Sequence, residues 1–198
     1  LPLTNWRALF FKQNPNITGI LDRATSLKTH LAQDYVFQSL EVLDCAYNWK
    51  IFMETYLDLY HINVIHPGLR KFASCDNSKW EIDEFFSSQT VDVILNPAQN
   101  PSSHYAKFSQ LILDYAGPNY VPKITWFSVY PNTMIEIYPY NMVISSVIPI
   151  SASKSINVVE FYLDATLKDD ARAKTLHDSF KQAYLETAAE DDIACRQI

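Results

Sequence analysis

The chain has 198 residues, 48% of them hydrophobic and 19% charged, with a formal net charge of −6. That is enough length for one sizeable core and too apolar a composition for a disordered segment. No basic stripe offers itself to nucleic acid, and the longest apolar run, residues 142–150, is far too short to cross a bilayer, so neither partner is expected.

In chain order, "NWRALFFKQ" reads as a short strand and "TGILDRATSLKTHLAQ" as one or two helical turns. Residues 36–45 have the β-branched and alternating character of a strand. "WKIFMETYLDLYH" has helical spacing, with Phe52, Tyr56, Leu59 and Tyr60 on one side, and Pro67 and Gly68 end that helix. Strands are expected over 79–86 and 90–95, followed by a loop marked by Pro97 and Pro101. Residues 102–116 form a helix with Tyr105, Phe108, Leu111, Ile112 and Tyr115 in one stripe, stopped at Gly117 and Pro118. Four strands follow, "ITWFSVY", "TMIEIY", "MVISSVI" and "NVVEFYLDA", joined by turns short enough for antiparallel neighbours. A long helix over 168–190 closes the chain. The expected fold class is α+β: an antiparallel β-sheet, covered on one side by helices and wrapped on the C-terminal helix so that a cavity lies between them.

The glycines, Gly19, Gly68 and Gly117, are scattered, so no phosphate-cradling loop is present and nucleotide chemistry is not expected. The cysteines, Cys45, Cys75 and Cys195, form no C-x-x-C pair, and an odd count fits a reducing, cytoplasmic setting. No secretory signal is seen, and the chain opens at Leu1 without methionine, as expected of a fragment or a processed chain.

The densest chemistry lies at Asp58, His61 and His66. Two histidines near a helix end also occur as ordinary polar residues. Five residues apart on an unbroken helix, their rings would diverge by about 140°. They converge only if the helix loosens between them, and Pro67 favours that by disfavouring helical geometry at His66. Two histidines and one carboxylate make a facial triad that leaves positions open on Fe(II). On the last helix, Phe180, Tyr184, Thr187 and Asp191 recur at intervals of four, three and four, which turns Asp191 inward; Asp192 shares the more polar face of Lys181, Leu185 and Ala188. The same acidic cluster also reads as a solvated face.

Beyond these residues, "NWK…E…YLDLYHINVIHP" resembles the signature of the catalytic domain of Rieske non-heme iron oxygenases, the large subunits of aromatic-ring-hydroxylating dioxygenases. "TWFSVYPNTMIEIYP", "NVVEFYL" and "AYLETAAEDD" resemble that family's central strands and closing helix, and "NWRALFF" resembles its junction with a Rieske domain. The resemblance implies a helix-grip, Bet v 1-like fold. It divides the chain into 1–35, the remnant of a junction with a missing Rieske domain, and 36–198, a mononuclear-iron catalytic domain. It implies Fe(2+) held by His61, His66 and Asp191, with Asp58 as the catalytic acid linking that iron to a cluster on a neighbouring subunit. The implied reaction uses O2 to hydroxylate a small hydrophobic, aromatic substrate, with electrons from a Rieske domain or a ferredoxin/reductase chain and subunits arranged as a homotrimer.

Two departures accompany the resemblance. Thr55 stands where the family has Asn, and the chain lacks the C-x-H and C-x-x-H pairs that a [2Fe–2S] cluster needs, so that cluster is not in this chain. Two other readings fit the same residues. One is a hydrophobic-ligand carrier with an inert metal site. The other is a zinc hydrolase using Glu54 or Asp58 as base.

Overall fold

The computed structural model describes residues 4–6, 8–10, 24, 34–99 and 103–198. Near the start, β1 (Thr4–Trp6) and β2 (Ala8–Phe10) pair as a small antiparallel ribbon where one strand is expected. The helical turns expected over 18–33 lie outside the described residues, apart from the buried Ala24.

The body is a seven-stranded antiparallel sheet. Its strands are β3 (Tyr35–Cys45), β4 (Ala73–Ile82), β5 (Phe86–Val93), β6 (Lys123–Val129), β7 (Thr133–Tyr138), β8 (Asn141–Ser151) and β9 (Lys154–Asp164). From β4 to β9 each strand pairs with the next, and β3 adds itself beyond β9, giving the order β3-β9-β8-β7-β6-β5-β4. The short turns from β4 to β5 and from β6 through β9 favour such antiparallel neighbours, while residues 94–122 make a long connection between β5 and β6. The strand expected over 79–86 is two strands, because a turn falls inside it: Asp83 accepts from the Phe85 N–H through its side chain at 3.2 Å.

Between β3 and β4 stand three short helices, α1 (Trp49–Leu57), α2 (Tyr60–Ile65) and α3 (Leu69–Phe72). The helix α4 (His104–Ala116) precedes β6, and α5 (Ala173–Cys195) ends the fold. α4 begins where the Ser103 hydroxyl accepts the Ala106 N–H at 3.0 Å and ends at Gly117, whose φ of +80° suits only a residue without Cβ. The closing helix starts five residues later than the expected Lys168 and ends five later than the expected Glu190. Asp164 accepts the Thr166 N–H at 2.9 Å and holds residues 165–167 in a separate 3-10 turn.

α5 lies across one face of the sheet. Leu176, Phe180 and Ala183 are fully buried, and Phe180 packs on Phe108 of α4 with ring centroids 5.3 Å apart. The opposite face is buried too: Phe127, Val129, Ile135, Ile137, Met142 and Ile144 form a second core with Ala24 and Tyr35. The expected antiparallel sheet with the long C-terminal helix across one side is formed, and its other face is buried as well. The physical sign was already in the strands, since "TWF", "MIEIY" and "MVI" run apolar without the alternation of a half-solvated sheet.

Candidate functional site

The helical spacing predicts one continuous helix through His61, but the chain breaks at Asp58. α1 stops at Leu57, and Asp58 has extended backbone, with φ −89° and ψ 128°. Its carboxylate accepts the backbone N–H of Tyr60 at 2.8 Å and of His61 at 3.3 Å. A side chain that satisfies these amides removes the reason for the helix to continue and starts a new one. α2 is then too short to carry the rings far apart. His61 projects from its first turn, and His66 follows its last, ahead of Pro67. The two rings meet edge to face with centroids 5.1 Å apart.

Asp191, near the end of α5, completes the group. One ligand atom from each of His61, His66 and Asp191 lies within 4.8 Å of the others, as a metal ion requires. The Asp191 Oδ1 stands 3.1 Å from His66 Nε2 and 3.6 Å from His61 Nε2, yet it receives no well-directed hydrogen bond. Asp192 points elsewhere and accepts a bond from Arg196 Nε at 2.6 Å. The stripe Phe180–Tyr184–Thr187–Asp191 thus faces the site as its spacing predicts.

The other nitrogen of each ring faces a further acid. His66 Nδ1 is 2.7 Å from Glu190 Oε2, so Nδ1–H donates there and Nε2 is left with its lone pair toward Asp191. Glu190 went unread in the sequence. The available signal was chemical: a metal-binding histidine wants an acceptor on its second nitrogen, and Glu190 adjoins Asp191. His61 Nδ1 lies 3.7 Å from Asp58 Oδ2, too far for a hydrogen bond, and is buried without a partner. Asp58 therefore orients His61 through the backbone rather than through a ring contact.

Burial opposes charge on both imidazoles. On His61 it prevails over the attraction of Asp191 and holds the pKa below the ordinary value. On His66 burial is outweighed by Asp191 and Glu190, and the pKa is raised. Burial raises Glu190 as well, against the pull of His66.

A cavity of about 70 Å³ opens beside these groups, walled by Tyr56, Ile62, Leu69, Trp126, Tyr138 and Tyr184 and bounded by His61, His66 and Asp191. Into the same cavity β7 delivers Glu136, which is 5% exposed. Its Oε2 accepts the Tyr138 hydroxyl at 3.0 Å and its Oε1 accepts the Tyr184 hydroxyl at 3.2 Å. Burial pushes Glu136 up to about 7, with Asp191 adding to the rise and the two phenols opposing it. Sequence reasoning passed over Glu136 as one residue of a strand. It lies on the face shared with Met134 and Tyr138, both buried, and an acid on such a face is the signal that was available.

Residues 32–198 match the profile of the ring hydroxylating alpha subunit (catalytic domain). Putrescine 2-hydroxylase of Ralstonia nicotianae is 35% identical over 192 residues, covering 96% of this chain and 52% of that protein. The enzyme of the same name from Bordetella bronchiseptica is 39% identical over 160 residues, 80% of this chain and 37% of its own length. The chain thus spans roughly a third to a half of these relatives. Its fold is shared with a quaternary ammonium Rieske monooxygenase, at TM-score 0.70 and 16% identity, with 100% of this chain and 50% of that one covered. It is shared also with naphthalene 1,2-dioxygenase, at TM-score 0.66 and 16% identity, covering 96% and 50%. A profile spanning most of the chain, over a fold and a histidine–carboxylate cluster of this kind, is sufficient: the chain belongs to the ring-hydroxylating alpha-subunit family and carries its catalytic domain.

Proposed function

We propose that this chain is the catalytic part of an oxygenase that hydroxylates a small organic substrate with O2, at a mononuclear iron held by His61, His66 and Asp191. The observation that carries the reading is the convergence of two Nε2 atoms and one carboxylate oxygen, close together and without directed hydrogen bonds to one another. The donor set fits Fe(II), which two imidazoles and one carboxylate would hold without filling its coordination. Iron bound there supplies the redox chemistry of O2 activation, which no side chain of this cavity provides. The chain's own residues hold and shield. Glu190 fixes the His66 tautomer with Nε2 free, Asp58 fixes the start of α2, and the aromatic wall excludes water from the substrate.

The substrate need not be aromatic. The relatives' names specify putrescine, and a chloroplast choline monooxygenase of Arabidopsis thaliana is 29% identical over 137 residues.

Electrons would arrive from a Rieske domain, and residues 1–35 would be the junction toward one. Asp58 supports this arrangement by its position. It borders the inner cavity and also a surface groove with Tyr60, Asn63, Cys75 and Trp80, so it stands between the histidines and the outside. In a homotrimer, a neighbouring subunit's cluster would dock over that groove.

Anaerobic loading should give one iron per chain. With a cluster-bearing partner and reductase, substrate hydroxylation should fall at least about ten-fold in Asp58→Asn, while hydroxylation driven by hydrogen peroxide should change little. Zinc rather than iron in the freshly purified protein, with no hydroxylation under either condition, would overturn the reading. Glu190→Gln should weaken metal affinity by about ten-fold, as loss of an outer carboxylate typically does. An unchanged metal titration would show that the Glu190–His66 bond serves packing alone.

A further inference from the structure

We infer that Glu136 is the receptor for a protonated amine, so that the substrate class of this site is a small aliphatic ammonium compound. The inference rests on the oxygenase reading for what happens to that substrate, but the binding site stands on its own residues.

The Trp126 Nε1–H, which can only donate, is 3.0 Å from the Tyr138 hydroxyl oxygen. Tyr138 thus accepts from Trp126 and donates its own proton to Glu136. Tyr184 donates to the other carboxylate oxygen. Both phenols donate to Glu136 and Trp126 donates to one of them, the arrangement that stabilises an anion, and linked hydrogen bonds of one direction polarise one another.

Among the described residues no lysine or arginine pairs with Glu136; the cations that form ion pairs do so elsewhere, with Asp92, Asp44, Asp170, Asp178, Glu41 and Asp192. Burying a carboxylate with no cation is costly, and its neighbours here do not remove that cost. A carboxylate has about four acceptor positions, and two are taken by the phenols. Glu136 borders a cavity whose lining includes no lysine or arginine.

Tyr56, Trp126, Tyr138 and Tyr184 all border that cavity, and aromatic π surfaces attract an organic cation more strongly once water is excluded. A neutral aromatic substrate would gain from the same rings but would leave the acid unpaired. Because His61, His66 and Asp191 bound the same cavity, an alkyl chain anchored at Glu136 by its ammonium group presents its carbons to that trio.

The test is calorimetric titration of the iron-loaded chain, without oxygen, against n-butylammonium, 1-butanol and benzene. Butylammonium should bind at least about ten-fold more tightly than butanol, the value of one charge-assisted contact. In Glu136→Gln, which keeps the shape, that preference should vanish; in Glu136→Asp, which keeps the charge, part of it should return. Equal binding of butanol or benzene to the unaltered chain would overturn the inference, as would a preference that survives Glu136→Gln. If the variants do not fold, the three-ligand series on the unaltered chain still decides. Iron content measured on the same samples separates the two readings. A chain that holds iron without preferring ammonium refutes only this inference, and one that prefers ammonium without holding iron refutes only the oxygenase.

Discussion

His66→Ala is expected to lower iron affinity by at least about a hundred-fold, beyond the effect of losing an outer partner. His66 is 1% exposed, and among the described residues no other set of three donors lies close enough to hold an ion. Asp191→Ala should do the same, because its Oδ1 is the acceptor nearest both Nε2 atoms. Asp192→Ala should keep full metal content, since that carboxylate is engaged with Arg196. Metal analysis after anaerobic loading reads all three, and circular dichroism melts report whether each variant is folded. Retention of iron by His66→Ala, or its loss in Asp192→Ala alone, would mean that the ligand set is misassigned.

The second large effect runs toward greater stability. Glu136→Gln should make the ligand-free, metal-free chain more stable at pH 8 by about 3 kcal/mol. Burial raises the Glu136 carboxyl from 4.5 to about 7 in the folded chain. Below about pH 4.5 the proton is on the group in both folded and unfolded chains, and the fold keeps its full stability. As pH rises, the unfolded chain ionises first. Stability is then lost until pH passes about 7, at about 1.4 kcal/mol per pH unit. Glutamine stays neutral throughout and can keep one amide oxygen for a phenol. Melts of the two proteins should therefore coincide near pH 4 and separate by pH 8. A parallel pH dependence would show that Glu136 ionises freely in the fold. A residue that destabilises the empty protein while binding its ligand is the usual trade between stability and function.

Much of the architecture was legible because it depends on local patterns. The apolar stripe of α4 set that helix and its face, and short turns after residues 130 and 138 set the antiparallel order of β6, β7 and β8. On α5, the spacing of Phe180, Tyr184 and Thr187 put Asp191 on the inward side without any structure, because helical period alone fixes which residues share a face. Pro67 likewise signalled that His66 leaves the helix.

The rest depended on contacts between residues far apart in sequence. The break at Asp58 arises from a competition between a side chain and the backbone ladder, which periodicity does not register. Glu190 bonds His66 across 124 residues, and Tyr184 meets Glu136 across 48. No spacing rule reaches that far. Length, composition and periodicity thus determined the class of fold and the inward face of α5. The tertiary structure alone decided which acids those faces met, because the environment of a buried charge is set by the elements packed around it and not by its neighbours along the chain.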